Sequence, residues 1–304
     1  MNLSIKNLFT ALIHSLIVWG FISHICFAQE GRGDVIYVPT PQNVVDEMLD
    51  LAQVNSADYL IDLGSGDGRI VTTAAKRFGT NGLGVDLDSY LIKIAKLNAE
   101  LDKVENRVSF LEADLFETDL TKATVISTYL LPELNLKLRP LLLQLKPGTR
   151  IITHDYHMGN WRPDLEKRIP APEKLVGANG YSHIYYWMVP AKVAGVWQFN
   201  KIDSINPTLQ ELELSQSFQN IEGTLKFSDK KLPIIGLMTG NKIEFHIRSK
   251  DSKNIELRDF SGVIDQDKMI GTFNIVSGKT TKTINWEATW IKKTAMNQPD
   301  DEKK

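Results

Sequence analysis

Asp62-Leu-Gly-Ser-Gly-Asp-Gly-Arg69 is the stretch that decides the fold. The apolar run Tyr59-Leu60-Ile61 before it reads as a short buried strand, and Ile70-Val71 and Ala74-Ala75 after it have helical spacing. Strand, glycine turn and helix start, in that order, make a setting where a nucleotide-like ligand meets backbone N–H groups. The glycines are Gly64, Gly66 and Gly68. A dinucleotide fingerprint would put its third glycine at the position that Arg69 holds here. Asp62 stands just before the first glycine, where its carboxylate would repel a pyrophosphate but could hold a ligand's ammonium group. The combination argues against NAD and for a cationic amino-acid nucleoside. S-adenosylmethionine (SAM) meets that description, with Asp62, Gly64, Ser65 and Gly66 as its candidate site.

Upstream, Tyr37-Val38-Pro39-Thr40-Pro41 leads into Val44, Val45, Met48, Leu49 and Ala52 at helical spacing. Thr40 fits a helix N-cap and Pro41 a first helical residue. The helix packs before the sheet, and Tyr37, Thr40 and Pro41 can also form a lip over the cofactor. Downstream, Lys76-Arg77 and Gly79 close the helix that follows the glycine turn. A strand through Leu83–Asp88 then carries Asp86 about twenty residues beyond the turn, where doubly wound folds hydrogen-bond ribose hydroxyls with an acid. A carboxylate accepts from both hydroxyls at once. Asp88 is the better cap for the next helix, Leu91 to Leu101. Val108–Asp114 is a third strand, and Asp114 at its end fits a helix cap. Ala123–Tyr129 is a fourth strand. Helical sequence from Glu133 to Leu145 follows, with a break or kink expected at Pro140. Arg150–Tyr156 is a fifth strand, polar at its end, and Tyr181–Met188 closes this first domain.

Pro190 begins a change of texture. Val193, Gly195, Trp197 and Phe199 alternate, as do Ile243, Phe245 and Ile247, Gly271, Phe273 and Ile275, and Ile284, Trp286, Ala288 and Trp290. Turns at Gly240-Asn241 and Ser277-Gly278 punctuate them. Seven or eight strands in about 100 residues pack as a small antiparallel all-β barrel or sandwich. Its expected part is structural or substrate-positioning, with an independent ligand pocket as the alternative. From Lys292 the chain turns polar, and the tail, 294–304, reads as frayed.

The 304 residues suit two domains of a soluble globular protein, 42% hydrophobic and 24% charged. A net charge of −2 gives no basic field to attract nucleic acid, so none is expected as a partner. Lys6 followed by the apolar Leu8–Ala28, ending Cys26-Phe27-Ala28, reads as a signal peptide over 1–28. An uncleaved membrane anchor is the alternative. The chain is therefore expected to be exported, to the periplasm if it is bacterial. Export sits uneasily with SAM, which is made in the cytoplasm and would have to be supplied. The only cysteine, Cys26, lies in the leader, which leaves a mature chain without disulfides or thiolate metal sites. The histidines are dispersed, without metal-ligand spacing, and no metal is expected.

The pattern Asp-x-Gly-x-Gly-x-Gly resembles motif I of the class I SAM-dependent methyltransferases. Tyr37-Val-Pro-Thr-Pro41, Asp62–Arg69, Tyr129-Leu-Leu-Pro132 and Pro147-Gly-Thr-Arg-Ile151 with His154-Asp155 together resemble one group among them. It is the group related to the ATP synthase c-subunit lysine methyltransferase and, more distantly, to the histone lysine methyltransferases of this fold. The resemblance runs from about Tyr37 to Pro163. It implies a Rossmann-like, doubly wound methyltransferase domain over 29–190, ahead of the β-rich 191–293. It also implies SAM as cofactor and a protein nitrogen, lysine first, as acceptor. In that family the acid at Asp114-Leu115 lies near the adenine amino group, and the end of the fourth strand faces the transferring methyl. The Asn/Asp-Pro-Pro-Tyr motif of many base- and glutamine-methylating members is absent, which argues against those acceptors.

Tyr129, His154 and Asp155, at the ends of strands, are the catalytic candidates. His154 is either a proton acceptor or a loop histidine hydrogen-bonded for structure. An amine acceptor must arrive unprotonated, and a dry channel lowers lysine from its ordinary pKa of about 10.4. No dedicated base is then required. The competing reading is an exported protein that keeps the fold and binds an adenosyl ligand or a partner without turnover.

Overall fold

The computed structural model describes residues 37–174, 180–202, 209–227, 229–247, 256–277 and 280–299. The expected leader, 1–28, the Gly278 turn and the last residues of the tail lie outside them. From Val38 onward the described residues form one compact unit. Among the described residues no helix is long and apolar enough to cross a membrane.

The first half is a layered α/β structure. In chain order it runs α1 (Gln42–Leu51), β1 (Tyr59–Leu63), α2 (Arg69–Phe78), β2 (Asn81–Asp86), α3 (Ser89–Leu101), β3 (Val108–Glu112) and β4 (Val125–Thr128). Then come α4 (Pro132–Leu142), β5 (Arg150–His154), β6 (Leu165–Pro170) and β7 (Tyr181–Met188). The seven strands pair in the order β3-β2-β1-β4-β5-β7-β6. β3 through β5 are parallel, whereas β7 runs antiparallel to both β5 and β6. Strand order reverses between β1 and β4, so a crevice opens beyond their C-terminal ends, the usual ligand position in such sheets. Both faces are covered. Val44, Val45, Met48 and Leu49 of α1 pack on one face with Ile70, Val71 and Ala74 of α2 and Ile92 and Ala95 of α3. Leu138 and Leu142 of α4 pack on the other with Trp161 and Trp187.

Local chemistry departs from expectation at three places. Thr40 does not cap α1; Pro41 is the N-cap, its carbonyl accepting from Val44 and Val45 N–H, while the Thr40 hydroxyl turns to His154. Pro140 neither breaks nor kinks the sequence midway, because it stands in the last turn of α4, which ends at Leu142. β6 was not anticipated: Leu165-Glu-Lys-Arg-Ile-Pro170 is an edge strand in which only Ile169 is buried, so no alternation betrays it.

The second half is a barrel rather than a sandwich. Its strands are β8 (Gly195–Ile202), β9 (Leu209–Ser217), β10 (Asn220–Phe227), β11 (Lys230–Thr239), β12 (Lys242–Ile247), β13 (Glu256–Asp265), β14 (Lys268–Ser277) and β15 (Thr280–Lys293). All neighbours are antiparallel, and the ring shuts where β15 meets β8. The alternating apolar residues point inward, as a closed sheet requires. Trp197, Phe199, Phe245, Phe260, Phe273 and Trp286 fill the interior, with Phe260 stacked between Phe245 and Phe273 at 4.6 and 4.7 Å.

Sheet and barrel meet closely. Phe218, from the β9–β10 turn, stacks on Trp161 at 6.0 Å. Gln219 Nε2 donates to the Arg162 carbonyl and to Asp164 Oδ1. The tail is not frayed at its start: Thr294 N–H bonds Ala194 O, Asn297 N–H bonds Gln216 O, and Met296 packs into the cluster around Trp161. That apolar contact is what a reading of the tail as polar overlooked.

Candidate active site

The glycine turn works by bending and by close approach. Gly64, Gly66 and Gly68 all take positive φ, at 77°, 53° and 78°. Gly64 and Ser65 N–H bond the Val85 carbonyl, Gly66 N–H donates to Asp86 Oδ2 and Gly68 N–H to Ser65 O. These four donors are satisfied within the protein. A diphosphate needs such donors free, so the turn suits a ligand without phosphate, in line with the spacing that disfavours NAD. The Ser65 side chain turns inward over Gly84, where its Oγ finds no hydrogen-bond partner among the described residues. Arg69, in the place of a third glycine, takes Asp67 bidentately through Nε and Nη2 and donates from Nη1 to Thr40 O at 2.7 Å. It thereby ties the turn to the segment before α1.

Asp62 ends up almost wholly buried at the C-terminal end of β1, its Oδ1 accepting from Ser127 Oγ of β4 at 2.7 Å. Burial pushes its carboxyl up to about 7; Asp86 and Asp67 add to the rise and the Ser127 hydroxyl opposes it. A buried carboxyl with one hydrogen bond is poised for a cation, and an ammonium group would restore its charge. Asp86 closes β2, with Oδ2 on Gly66 N–H and Oδ1 on Asp88 N–H, bonds of 2.8 and 2.9 Å. Each oxygen keeps a lone pair for a ribose hydroxyl. Asp88 caps α3 as expected, accepting from Tyr90 and Leu91 N–H. Asp114 lies beyond β3, where Oδ1 accepts from Phe116 N–H. It also lines a cavity of about 500 Å³ with Tyr59, Ile61, Leu83 and Leu111, a lining that includes neither Asp62 nor Asp86. Leu115 packs, half-buried, against the α4-side core. Tyr37 is the first described residue and is 38% exposed.

The catalytic candidates meet one strand further on. Tyr129 follows β4, His154 ends β5, and their rings lie 3.9 Å apart. His154 has no exposed surface; Nδ1 bonds Thr40 Oγ1 and Nε2 bonds Ser182 Oγ at 2.8 Å. Burial presses its pKa down to about 4, with Asp155 opposing and Lys174 assisting. The ring is thus neutral, enclosed and bonded at both nitrogens, an arrangement that positions rather than one that exchanges protons with an acceptor.

Asp155 has φ +62°, a left-handed conformation that a non-glycine residue adopts only when its surroundings hold it. The holders are visible: its N–H bonds His183 O, and its Oδ1 accepts from His183 N–H. Oδ2 accepts from Tyr129 Oη at 3.2 Å and pairs with Lys174 Nζ at 2.5 Å. Burial would raise this carboxyl, but Lys174, His154 and the His183 N–H together hold it below the ordinary value. Burial and the Asp155 charge raise the Tyr129 hydroxyl, which stays protonated.

Three residues of this cluster, Ser182, His183 and Lys174, were not singled out from the sequence. Ser182 had a signal: alternation in β7 places it on the buried face with Ile184 and Tyr186. Lys174, in Pro172-Glu173-Lys174, had none, because a lysine after a proline reads as loop surface. Among the described residues no group of His, Cys, Asp or Glu could hold a metal ion.

Comparison with known proteins places these features in a family. The ANTKMT methyltransferase domain matches residues 62–165, which span the glycine turn and β5 and stop short of the barrel. A protein-lysine N-methyltransferase of Saccharolobus islandicus (strain REY15A) is 43% identical over 131 residues, covering 42% of this chain and 81% of the archaeal one. The lysine N-methyltransferase of the ATP synthase c-subunit from Xenopus laevis is 28% identical over 129 residues, and the chain spans only 56% of its length. Among solved structures, one described as an RNA methyltransferase from Salinibacter ruber in complex with S-adenosyl-L-homocysteine is 46% identical. It covers 51% of this chain and 96% of that one, with a TM-score of 0.46.

Proposed function

This chain belongs to the protein-lysine N-methyltransferase family and is a SAM-dependent methyltransferase; on that footing, we propose that it methylates the side-chain amine of a lysine in a protein substrate. The observation that carries the acceptor is the Asp155–Tyr129 pair, an ionised carboxylate and a protonated phenol beside the switch-point crevice. That pair suits an ammonium or amine on a long apolar stem.

Bound SAM supplies an electrophilic methyl on a sulfonium. The chain's own residues do the rest. Asp62 would pair with the ammonium of the methionine moiety and Asp86 with the ribose hydroxyls. Asp114 and Leu115 would flank the base, Gly64 to Gly66 would permit close approach, and Thr40 would belong to the lip. Asp155 and Tyr129 orient the acceptor. His154 holds the Tyr129 ring and the Thr40 segment in place. Asp155 is too weak a base to take the lysine proton, so that proton leaves to water before attack. The rate should therefore climb with pH across the neutral range. The apolar Leu8–Ala28 segment supports export as a further part of this proposal, which fractionation of expressing cells would test.

The test is transfer of labelled methyl from SAM by the full chain to a cell extract, followed by hydrolysis. Label in Nε-methyl-lysine, lost in Asp86→Ala, is expected. Label confined to RNA or to another side chain would overturn the lysine assignment. SAM binding without transfer would favour the reading in which the fold only binds its ligand.

A further inference from the structure

We propose that Lys174 is a resident stand-in for the acceptor: its ammonium occupies the place where a substrate lysine docks, and a substrate must displace it. This rests on the lysine reading above and deepens it.

Lys174 is an unusual lysine for this chain. Its side chain is 6% exposed, whereas those of Lys76, Lys167, Lys268 and Lys293, the other ion-paired lysines described, are 49% exposed or more. Its Nζ contacts Asp155 Oδ2 at 2.5 Å and donates to the Tyr181 carbonyl at 2.8 Å. Asp155 Oδ2 also receives the Tyr129 hydroxyl. The ammonium is therefore met by a carboxylate just after β5 and a carbonyl at the start of β7, and it shares that carboxylate with Tyr129, which follows β4. A substrate lysine brings the same three donors on the same stem, so a site complementary to Lys174 Nζ is complementary to any lysine Nζ.

The backbone agrees with a site kept for a cation. The strained Asp155 is held by both its N–H and its Oδ1 on His183, which leaves Oδ2 aimed at the cation. A tethered lysine competes at an effective concentration in the millimolar range. A stray surface lysine cannot outcompete it, and only a partner with further contacts can. Lys174 thus acts as a threshold on acceptor choice.

Lysine labelling of the full chain with an acetylating reagent tests this without turnover. The probe is N,N-dimethylbutylamine, which has a lysine-like stem and forms no stable amide. Lys174 should label slowly alone and about fivefold faster or more with the probe, while Lys268 and Lys292 stay unchanged. Unchanged protection of Lys174 at saturating probe would overturn the proposal. As a second measurement, with poly-L-lysine as acceptor, Lys174→Met should lower the acceptor KM about fivefold and leave the SAM KM alone. Lys174→Arg, which keeps the pair, should not lower it. A merely structural pair predicts the reverse: Met raises the KM and Arg restores it. Probe-driven labelling without any methyl transfer would sink the lysine-transfer reading while leaving the ammonium site. Transfer with unmoved labelling would sink only the stand-in.

Discussion

Asp62 makes the sharpest prediction at the scale of single residues. Burial raises its carboxyl to about 7, and an ammonium ligand prefers the charged form. Below that pH, binding must first expel a proton. SAM affinity should therefore be flat above about pH 8 and fall by up to about tenfold per pH unit below pH 7, as followed by calorimetry. Asp62→Asn should abolish the slope. It should also raise Tm at alkaline pH, since the contribution of a carboxyl raised on folding is fully present only below its unfolded pKa and is lost as pH rises through its folded pKa of about 7. For Asp86→Ala the expectation is a loss of SAM affinity of tenfold or more, about 1.4 kcal/mol, by the same titration. The positions of both carboxylates, at the ends of β1 and β2, were legible because each sits at a fixed offset from the glycine turn. The Ser65 hydroxyl was not, because which way a turn serine points depends on Gly84 beneath it. Nor was Lys174, whose partner is close in space and far in sequence.

Among elements, the glycine turn can be probed against a surface turn. Gly68 has φ +78°, and a Cβ there would stand 2.6 Å from Phe110 and 2.8 Å from Ala95. Gly148 has φ +92° with nothing within 4 Å. Gly68→Ala should cost roughly 2–4 kcal/mol, conformational penalty plus overpacking. Gly148→Ala should cost only the conformational part, roughly 1–2 kcal/mol. Denaturant titration of the two variants measures the difference; equal losses would mean that packing under the turn has slack. Elements that bury a regular face were legible: α1 by its helical repeat, β8 and β15 by alternation. β6 was not, since a charged edge strand obeys neighbours rather than its own pattern. The Thr40 cap failed for a similar reason. A hydroxyl that could serve its own helix found a better partner in buried His154.

For the molecule as a whole, the expectation is one cooperative unfolding rather than two. Phe218 is buried against Trp161, and the Arg139 guanidinium lies 5.5 Å from the Phe218 ring. Phe218→Ala should cost about 3 kcal/mol or more and lower the sheet and barrel transitions together. Near- and far-ultraviolet circular dichroism should report one midpoint in both proteins; separate midpoints in the variant would show that sheet and barrel are coupled chiefly through this ring. That there are two architectures was legible from the shift of period at Pro190. Their contact was not, because Phe218 takes a left-handed φ of 53° in a turn and falls outside any strand pattern.

The ring of eight strands has a consequence for how the chain is made. Its first strand is hydrogen-bonded to its last, so it cannot shut until Lys293 has left the ribosome. The sheet is complete at Met188, far earlier. Trp161 and Trp187 then await Phe218 and Met296, which complete their side of the core. At 5–20 residues per second the wait for Met296 lasts roughly 5–20 s. For that interval the nascent chain shows an aromatic patch to whatever passes, so chaperone demand and misassembly should track the speed of synthesis through the barrel.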